Sequence, residues 1–244
     1  MQDNYRIQLL IQRKNIENSP PLHAYFSNVY KQIGSEIENF DPVLEIGAGA
    51  GISEIFLTQK ILRTDFFSFP EYGVRGDCPA EELPYQNSTF EAIIMIDALH
   101  HISNLDQAFN EFIRVMKPGG KIVIFEPWVS VLSFLPYKLF HHESTSWKHS
   151  PSRRQTLNDP SYGDQGVSRY VILDESFGAK FATRIRITRL EFMSPVTFYL
   201  TGGVSSPSHF SEKLLKKLIM IEKKIPQCLM KLIAARVMMS FEVL

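Results

Sequence analysis

The chain has 244 residues, of which 44% are hydrophobic, and its 26 basic residues equal its 26 acidic ones. This length and composition suit one α/β domain with a sizeable core and exclude a low-complexity chain. The charge balance provides no overall positive field, so we expect no nucleic-acid partner. Only two cysteines are present, so we expect no disulfides. The sequence shows no basic and apolar leader, which predicts a cytoplasmic protein. It contains no apolar run of about 20 residues, so we expect no membrane span.

The first half of the chain alternates helical and extended patterns. Apolar residues at helical spacing predict two leading helices, over residues 4–17 and 22–39. Short apolar runs then predict four strands, at residues 43–46, 61–64, 92–96 and 121–125. Before the last of them, apolar residues from Leu105 to Met116 recur every three or four positions and predict a helix. Strands separated by helices indicate a parallel sheet with crossover connections.

The second half is less regular. Residues 128–180 show no periodicity and predict an irregular insert that carries substrate contacts. Polar and apolar residues alternate over 184–192, which predicts a strand, and another is expected at 237–244. The fold class is therefore α/β, a Rossmann-like open sheet that is mostly parallel, with a C-terminal antiparallel strand and helices on both faces. This single domain, 1–244, divides into four parts: leading helices (1–40), a core (41–127), the insert (128–180), and last strands with a helical insert (181–244).

The sharpest local signal is the sequence Val-Leu-Glu-Ile-Gly-Ala-Gly-Ala-Gly at residues 43–51, in which a predicted strand enters a glycine-rich turn. Glycine has no side chain where a ligand must approach the backbone. The spacing is GxGxG, and the dinucleotide fingerprint GxGxxG would need Gly or Ala where this chain has Ile52. A helix is expected to start near Ile52. The alternative is a purely structural tight turn that binds no ligand.

This strand and turn resemble the first motif of the class I S-adenosylmethionine-dependent methyltransferases, in which an acidic residue precedes GxGxG. Glu45, Gly47, Gly49 and Gly51 occupy the motif positions, and Ala48 lies within the turn. The resemblance implies that the glycine turn packs under the methionine and ribose part of S-adenosylmethionine. It also implies that the acidic residue orients the turn and the cationic amino acid end, so that residues 41–127 are the cofactor-binding core.

Asp65 follows the next predicted strand, about 20 residues after Glu45. A carboxylate at this place accepts hydrogen bonds from both ribose hydroxyls, because it carries acceptors only. The same arrangement serves NAD-binding proteins, so Asp65 does not discriminate between the two cofactors. An ordinary solvated turn residue is the alternative interpretation.

Residues 76–91 are similar to the family's GDAEELPF segment followed by SFD. In relatives, the aspartate accepts a hydrogen bond from the adenine amino group, and the neighbouring backbone N–H meets the ring. Residues 78–79 look like a two-residue insertion, which leaves two candidates, Asp77 and the stretch at 80–81. We expect Asp77 to hold the adenine.

Two further segments match the family in the expected order. Residues 94–102 resemble its strand end with an LHH or LEH sequence, and residues 114–120 resemble its RVLKPGG turn. Asp97 ends that strand at the carboxyl edge of the sheet, where open α/β folds bind ligands, and we expect it to contact the methionine end of the cofactor. The matches together cover about residues 43–127, and their order is more specific than any one of them.

Other polar side chains are candidates for chemistry. His100 and His101 are catalytic candidates because histidine acts as a general base near neutral pH; capping the next helix or packing below the cofactor are the alternatives. Glu126 ends a strand on the same edge and either positions an acceptor or faces water. The insert's histidines, at positions 141, 142 and 149, lack the spacing of metal ligands, so we expect a polar lid or substrate wall and no metal site.

The combined patterns predict S-adenosylmethionine-dependent methyl transfer to a small-molecule acceptor or to one linked to a lipid or glycan. Such chemistry chiefly needs an acceptor lone pair aligned behind the methyl carbon, and a base only if the acceptor must lose a proton. The alternatives are a nicotinamide-dependent oxidoreductase and a non-catalytic methyltransferase-like binding module. Residues 211–224 form a basic amphipathic pattern that predicts either packing on the domain or peripheral membrane contact. The sequence leaves the oligomeric state open.

Overall fold

A computed structural model describes residues 2–140, 143–148, 163–204 and 210–244. Its strands are β1 (Val43–Ile46), β2 (Ile61–Thr64), β3 (Val74–Arg75), β4 (Phe90–Ile96), β5 (Met116–Pro127), β6 (Ile185–Met193) and β7 (Arg236–Val243). They form one sheet in the order β3-β2-β1-β4-β5-β7-β6. β1 to β5 pair in parallel, and β7 pairs antiparallel with β5 and with β6. The predicted fold class, a mostly parallel sheet with an antiparallel C-terminal strand, is confirmed.

The described helices are α1 (Gln2–Asn18), α2 (Pro20–Ile37), α3 (Leu105–Val115), α4 (Phe134–Phe140), α5 (Val167–Leu173), α6 (Glu175–Phe181), α7 (Thr197–Leu200), α8 (Glu212–Glu222) and α9 (Gln227–Ile233). α1, α2 and α3 lie where the sequence places helices. The helix expected near Ile52 is wrong: only a four-residue 3-10 turn, Ile52–Ile55, follows the glycine turn. Leu57 and the polar residues after it then lead directly into β2.

The core lies on both faces of the sheet because strand side chains alternate between them. In β4, Ile93 and Met95 belong to one hydrophobic cluster, and Ala92 and Ile94 belong to the other. α3, α5 and α6 cover the first cluster, and α2 and α8 cover the second. Helices therefore pack on both faces, as predicted, and leave the carboxyl edge of the parallel strands for a site.

The basic amphipathic segment forms α8. Leu215 and Ile219 are buried in the cluster that α2 covers, whereas Leu214 and Ile221 are 41% and 49% exposed. The helix therefore packs on the domain through part of its apolar stripe. Peripheral membrane contact through the remainder stays a prediction. Among the described residues, no helix is both long enough and apolar enough to cross a bilayer.

The insert at 128–180 differs from the expectation of irregular chain, because it contains α4, α5 and α6. Each of these helices has seven residues, too few for a hydrophobic period to show in the sequence. Val167, Tyr170 and Phe177 of α5 and α6 are buried in the cluster that α3 covers. The histidines at 141, 142 and 149 lie outside the described residues.

Candidate functional site

A cavity of about 990 Å³ lies at the carboxyl ends of β1, β2, β4 and β5. Open α/β sheets bind ligands at this edge. The volume is near the upper end of the roughly 300–1,000 Å³ of small-molecule sites. Its walls include the glycine turn after β1, Asp65 after β2, Asp97 after β4 and Pro127 at the end of β5.

The glycine turn presents bare backbone to this cavity. Gly47 and Gly49 line it and have φ angles of +71° and +54°, in the left-handed region that favours glycine. A Cβ atom on Gly47 would lie 2.3 Å from Ala98 Cβ, whereas one on Gly49 would meet only Leu9 Cδ2 at 3.6 Å. Gly51 packs against Tyr72, so its role is in the turn and not in the cavity wall.

Helix α1 holds the glycine turn from outside through Arg13, which sequence analysis missed. The buried Arg13 Nη1 donates to Ala50 O and to Gly51 O, both at 2.9 Å. The guanidinium lies 3.8 Å from the centroid of the Tyr72 ring. The turn is thus fixed by a helix that precedes it, and a single arginine among the polar residues of α1 carries no signal of this contact.

Glu45 is the buried acidic residue that precedes the turn. Ser53 Oγ donates to Glu45 Oε2, and Arg63 Nε lies 3.6 Å from the same oxygen. Burial raises the carboxyl pKa to about 7, against the opposing effects of Ser53 and Arg63. Glu45 joins the segments that flank the turn, and its side chain also lines the cavity.

We expect Glu45→Gln to remove part of the pH dependence of stability between pH 5 and pH 8. The carboxyl pKa is about 7 in the folded chain and 4.5 ordinarily, so folding favours the protonated form. This site therefore loses stability as the pH rises through that window, by about 3 kcal/mol at most. Urea unfolding of both chains at pH 5 and pH 8 measures the effect. An identical change in the free energy of unfolding for both chains would contradict the prediction.

Asp65 is held at the cavity by the turn itself. Its Oδ2 accepts from Gly49 N at 2.8 Å and its Oδ1 from Phe67 N at 3.0 Å. Burial raises its pKa, while these backbone hydrogen bonds act in the opposite direction. Each carboxylate oxygen has capacity for a second donor, so Asp65 can still accept two hydroxyl groups.

Asp77 lies elsewhere. Its φ is +54°, its side chain is exposed, and it does not line the cavity. Cys78, Ala80 and Glu81 do line it. Of the two sequence candidates, the structure thus brings the stretch at 80–81 to the cavity and leaves Asp77 on the surface, because the chain turns between them.

Asp97 forms an ion pair with Arg236, the first residue of β7. Both line the cavity, and Arg236 is 3% exposed. Its guanidinium carbon lies 4.5 Å from the Phe125 ring centroid and 4.9 Å from that of Phe198. Arg236 Nε is buried with no hydrogen-bond partner among the described residues. Burial raises the pKa of Asp97, and the charge of Arg236 opposes that rise.

Glu126 fixes the turn after β4 and orients His100. Its Oε1 accepts from Ala98 N and from Leu99 N, both at 2.7 Å, and its Oε2 lies 2.6 Å from His100 Nδ1. The side chain is fully buried, so the alternative that Glu126 faces water is wrong. Its position between backbone and imidazole makes it a positioning residue.

Glu143, from the insert, lies on the other side of the histidines. One carboxylate oxygen is 3.3 Å from His100 Nε2, and the other is 3.6 Å from His101 Nε2. Burial lowers the pKa of His100, but the two carboxylates outweigh it and hold that pKa well above its usual value. Helix α3 is capped by Asn104, whose Oδ1 accepts from Gln107 N at 3.1 Å, so the histidines do not serve as its cap.

Residues 44–124 match the model of a family described as methyltransferase domain. They contain the glycine turn, Asp65, Asp97 and both histidines at 100–101. Residues 44–124 belong to the methyltransferase domain family. The order of the motifs and the order of the strands identify this methyltransferase domain as the class I, S-adenosylmethionine-dependent type.

Curated relatives of the methyltransferase domain include two whose names refer to quinones. The demethylmenaquinone methyltransferase of Streptomyces avermitilis is 30% identical over 130 residues, which cover 51% of this chain and 52% of that protein. A ubiquinone/menaquinone biosynthesis C-methyltransferase of Idiomarina loihiensis is 40% identical over 47 residues, 19% of each protein. The chain spans about half or less of the length of these relatives.

Solved structures extend the likeness beyond the methyltransferase domain. An S-adenosylmethionine-dependent methyltransferase from Thermotoga maritima has a TM-score of 0.55 at 15% identity, with 98% of this chain and 95% of that chain covered. A geranyl diphosphate C-methyltransferase from Streptomyces coelicolor also has a TM-score of 0.55, at 13% identity, with 91% and 81% covered. At such identities the likeness supports the fold alone, including the helices and strands outside residues 44–124.

Two residues that line the cavity were not identified from the sequence. Arg236 starts a strand whose other residues are almost all buried, and a cation at that place is the signal that could have found it. Glu143 lies in the aperiodic insert, where no pattern points to it. Both approach the site from segments that follow the family match.

Proposed function

We propose that this chain binds S-adenosylmethionine in the cavity and transfers its methyl group to a small acceptor, free or linked to a lipid or glycan. The observation that carries the proposal is the bare backbone of Gly47 and Gly49 at the cavity, beside the Asp65 carboxylate. The family match over residues 44–124 supports the same activity. When bound, the cofactor supplies an electrophilic methyl carbon on a sulfonium.

The residues present fit that cofactor. Asp65 has two acceptor positions left for ribose hydroxyls, and the glycine turn leaves room for the methionine end. Asp97 closes that end of the cavity at the carboxyl terminus of β4. We assign the adenine to the wall at 78–81, which lines the cavity, in preference to the exposed Asp77.

Part of the cavity wall is apolar and aromatic and is formed by Phe26, Tyr30, Pro136, Tyr137, Phe198 and Tyr199. Arg236 lines the same cavity, and its Nε has no hydrogen-bond partner among the described residues. An apolar or aromatic acceptor body would fit such a wall. A negatively polarised oxygen on that body would satisfy the guanidinium. These features support an acceptor of that kind.

His100 and His101 line the same cavity and are our candidates for contact with the acceptor. Transfer to a hydroxyl or an acidic carbon requires that a proton leave the acceptor, which a nearby histidine can accept. His100 is held by carboxylates on both ring nitrogens, and His101 is the more accessible of the two. Transfer to a lone pair that carries no proton would need neither.

We expect Gly49→Val to weaken S-adenosylhomocysteine binding at least 100-fold, because the new side chain would occupy the space that the cofactor needs. The matched control is Gly73→Val. Gly73 has a similar φ, +64°, and a Cβ there would meet nothing within 4 Å. Both variants carry comparable backbone strain, roughly 1–3 kcal/mol, but only the first alters the cavity. Isothermal calorimetry measures the affinities, and chemical denaturation measures the strain.

The proposal would lose its main support if Gly49→Val bound S-adenosylhomocysteine as tightly as wild type while the two variants had equal stability. Wild-type binding of NAD in place of S-adenosylhomocysteine would favour the oxidoreductase alternative. Tight S-adenosylmethionine binding without turnover on quinol, phenol, lipid or glycan acceptors would favour the binding-module alternative.

A further inference from the structure

Three ligating side chains converge where the insert meets the turn after β4. The nearest imidazole and carboxylate atoms of His100, His101 and Glu143 all lie within 4.8 Å of one another. The two closest approaches, from Glu143 to each histidine Nε2, are 3.3 Å and 3.6 Å. Metal–nitrogen and metal–oxygen bonds of about 2.0–2.2 Å place neighbouring ligands of a tetrahedral ion roughly 3.3–3.5 Å apart. Both separations are close to that spacing, and each histidine faces a different oxygen of Glu143.

The surroundings of His100 prepare one nitrogen for coordination. Glu126 Oε2 accepts at 2.6 Å from the Nδ1 side of the ring, and Glu126 is itself held by two backbone N–H groups. This contact fixes the ring, so that Nε2 faces Glu143 and is the nitrogen that a metal ion would use. A carboxylate behind the imidazole is the usual outer shell of a metal-binding histidine, because it fixes the ring and raises its basicity.

The insert is built closely around the same ring. Asp164 N donates to His100 O at 3.1 Å, and Ser144 N donates to Gly163 O at 3.1 Å. A Cβ on Gly163 would lie 2.7 Å from His100 Cδ2, so only glycine allows this approach. Gln165 Nε2 donates to Glu143 and holds its carboxylate in place. His100 and Glu143 are thus held by short local contacts.

Charge balance favours a cation at this place. Glu126 and Glu143 are buried carboxylates, whereas the nearby Asp97 is already paired with Arg236. A divalent ion with two neutral imidazoles would balance both carboxylates. Burying a carboxylate is costly unless a positive charge lies beside it, so a cation between these groups would stabilise both.

We propose that His100, His101 and Glu143 form a binding site for a divalent transition-metal ion whose remaining coordination positions open into the cavity. Two imidazoles and one carboxylate favour Zn²⁺, Fe²⁺, Co²⁺ or Ni²⁺ over Mg²⁺ and Ca²⁺, which prefer oxygen. A bound ion would leave open positions for an oxygen of the acceptor. Both histidines then act as ligands and not as proton acceptors. The inference rests on these contacts and does not depend on the methyl donor.

Titration of the full chain with Co²⁺, after dialysis against a chelator, tests the site through the visible absorption of the bound ion. We expect saturation at a single equivalent, displacement by Zn²⁺ and no displacement by Mg²⁺. Glu143→Gln and His101→Asn should each weaken binding at least 10-fold. Glu126→Gln, which removes the charge behind His100, should weaken it by about 10- to 100-fold. His23→Asn is the control, because His23 is an exposed residue that packs on Phe56.

The inference is overturned if the wild-type chain shows no saturable Co²⁺ spectrum, or if Glu143→Gln binds the ion as tightly as wild type. The second outcome would place the ion on other histidines. Calorimetry with S-adenosylhomocysteine on the same variants separates this inference from the proposed function. For Glu143→Gln and His101→Asn we expect affinities within about threefold of wild type, because neither group holds the ribose, the glycine turn or the turn after β4, which Glu126 holds. Circular dichroism checks that each variant is folded.

Discussion

Asp65→Asn is expected to weaken S-adenosylhomocysteine binding about 100-fold. The substitution keeps the size of the side chain and one carbonyl oxygen, but it removes the charge and replaces one acceptor with a donor. A hydrogen bond to a charged group contributes about 1.5–3 kcal/mol, and the loss of one such bond together with the charge corresponds to roughly two powers of ten in affinity. Isothermal calorimetry on the purified chain measures the change.

Asp77→Asn is the matched control for that experiment. Asp77 is an aspartate of the same stretch of chain, but it is exposed and does not line the cavity. We expect its affinity to stay within twofold of wild type. A large loss of affinity in Asp77→Asn would indicate that Asp77 binds the adenine. A loss of less than fivefold in Asp65→Asn would instead remove the ribose contact from the proposed site.

Arg236→Met is expected to lower the free energy of unfolding by about 3 kcal/mol. Methionine can keep the apolar contacts with Phe125 and Phe198, but Asp97 loses its cation. Removing one partner of a buried pair costs roughly 3–5 kcal/mol, and the lower end applies because Asp97 is 34% exposed, toward the cavity. Urea unfolding measures the loss.

The control, Arg186→Met, removes an arginine from the neighbouring strand. Arg186 is 65% exposed and pairs with Glu242, so we expect a change below about 1 kcal/mol. Equal losses in the two variants would mean that the Asp97–Arg236 pair contributes no more than a surface ion pair. The deficit of Arg236→Met should also shrink at low pH, because burial already raises the pKa of Asp97 and protonation removes its charge.

The strands could be predicted because each one is a short apolar run between polar turns. β1 and β2 have the predicted bounds, and the alternating polar and apolar residues of β6 predicted it to within one residue at each end. The 3-10 turn at Ile52–Ile55 was harder, since its apolar spacing suits either a helix or a single turn. α5 and α6 were missed because tertiary packing of a few residues stabilises them, and the local pattern is too short to show it.

The site, like the fold, has a part that could be predicted from local sequence and a part that could not. The glycine turn, Asp65 and Asp97 each follow a predicted strand, so the rule that ligands bind at the carboxyl edge was enough to bring them together. Arg236 contacts Asp97, which is 139 residues away in the sequence, and Arg13 contacts the glycine turn at a separation of at least 37 residues. Contacts of this kind follow from the strand order and from the path of α1, which no local pattern contains.

The place of β7 in the sheet has a consequence for how the chain folds. β6 is synthesised before β7, yet β7 lies between β5 and β6 and pairs with both. Until β7 inserts, β5 and β6 expose unpaired backbone groups that can pair with other chains. The counter-ion of Asp97 arrives on that same strand. Insertion of β7 therefore completes the sheet and brings the cation of Asp97 to the cavity in the same step.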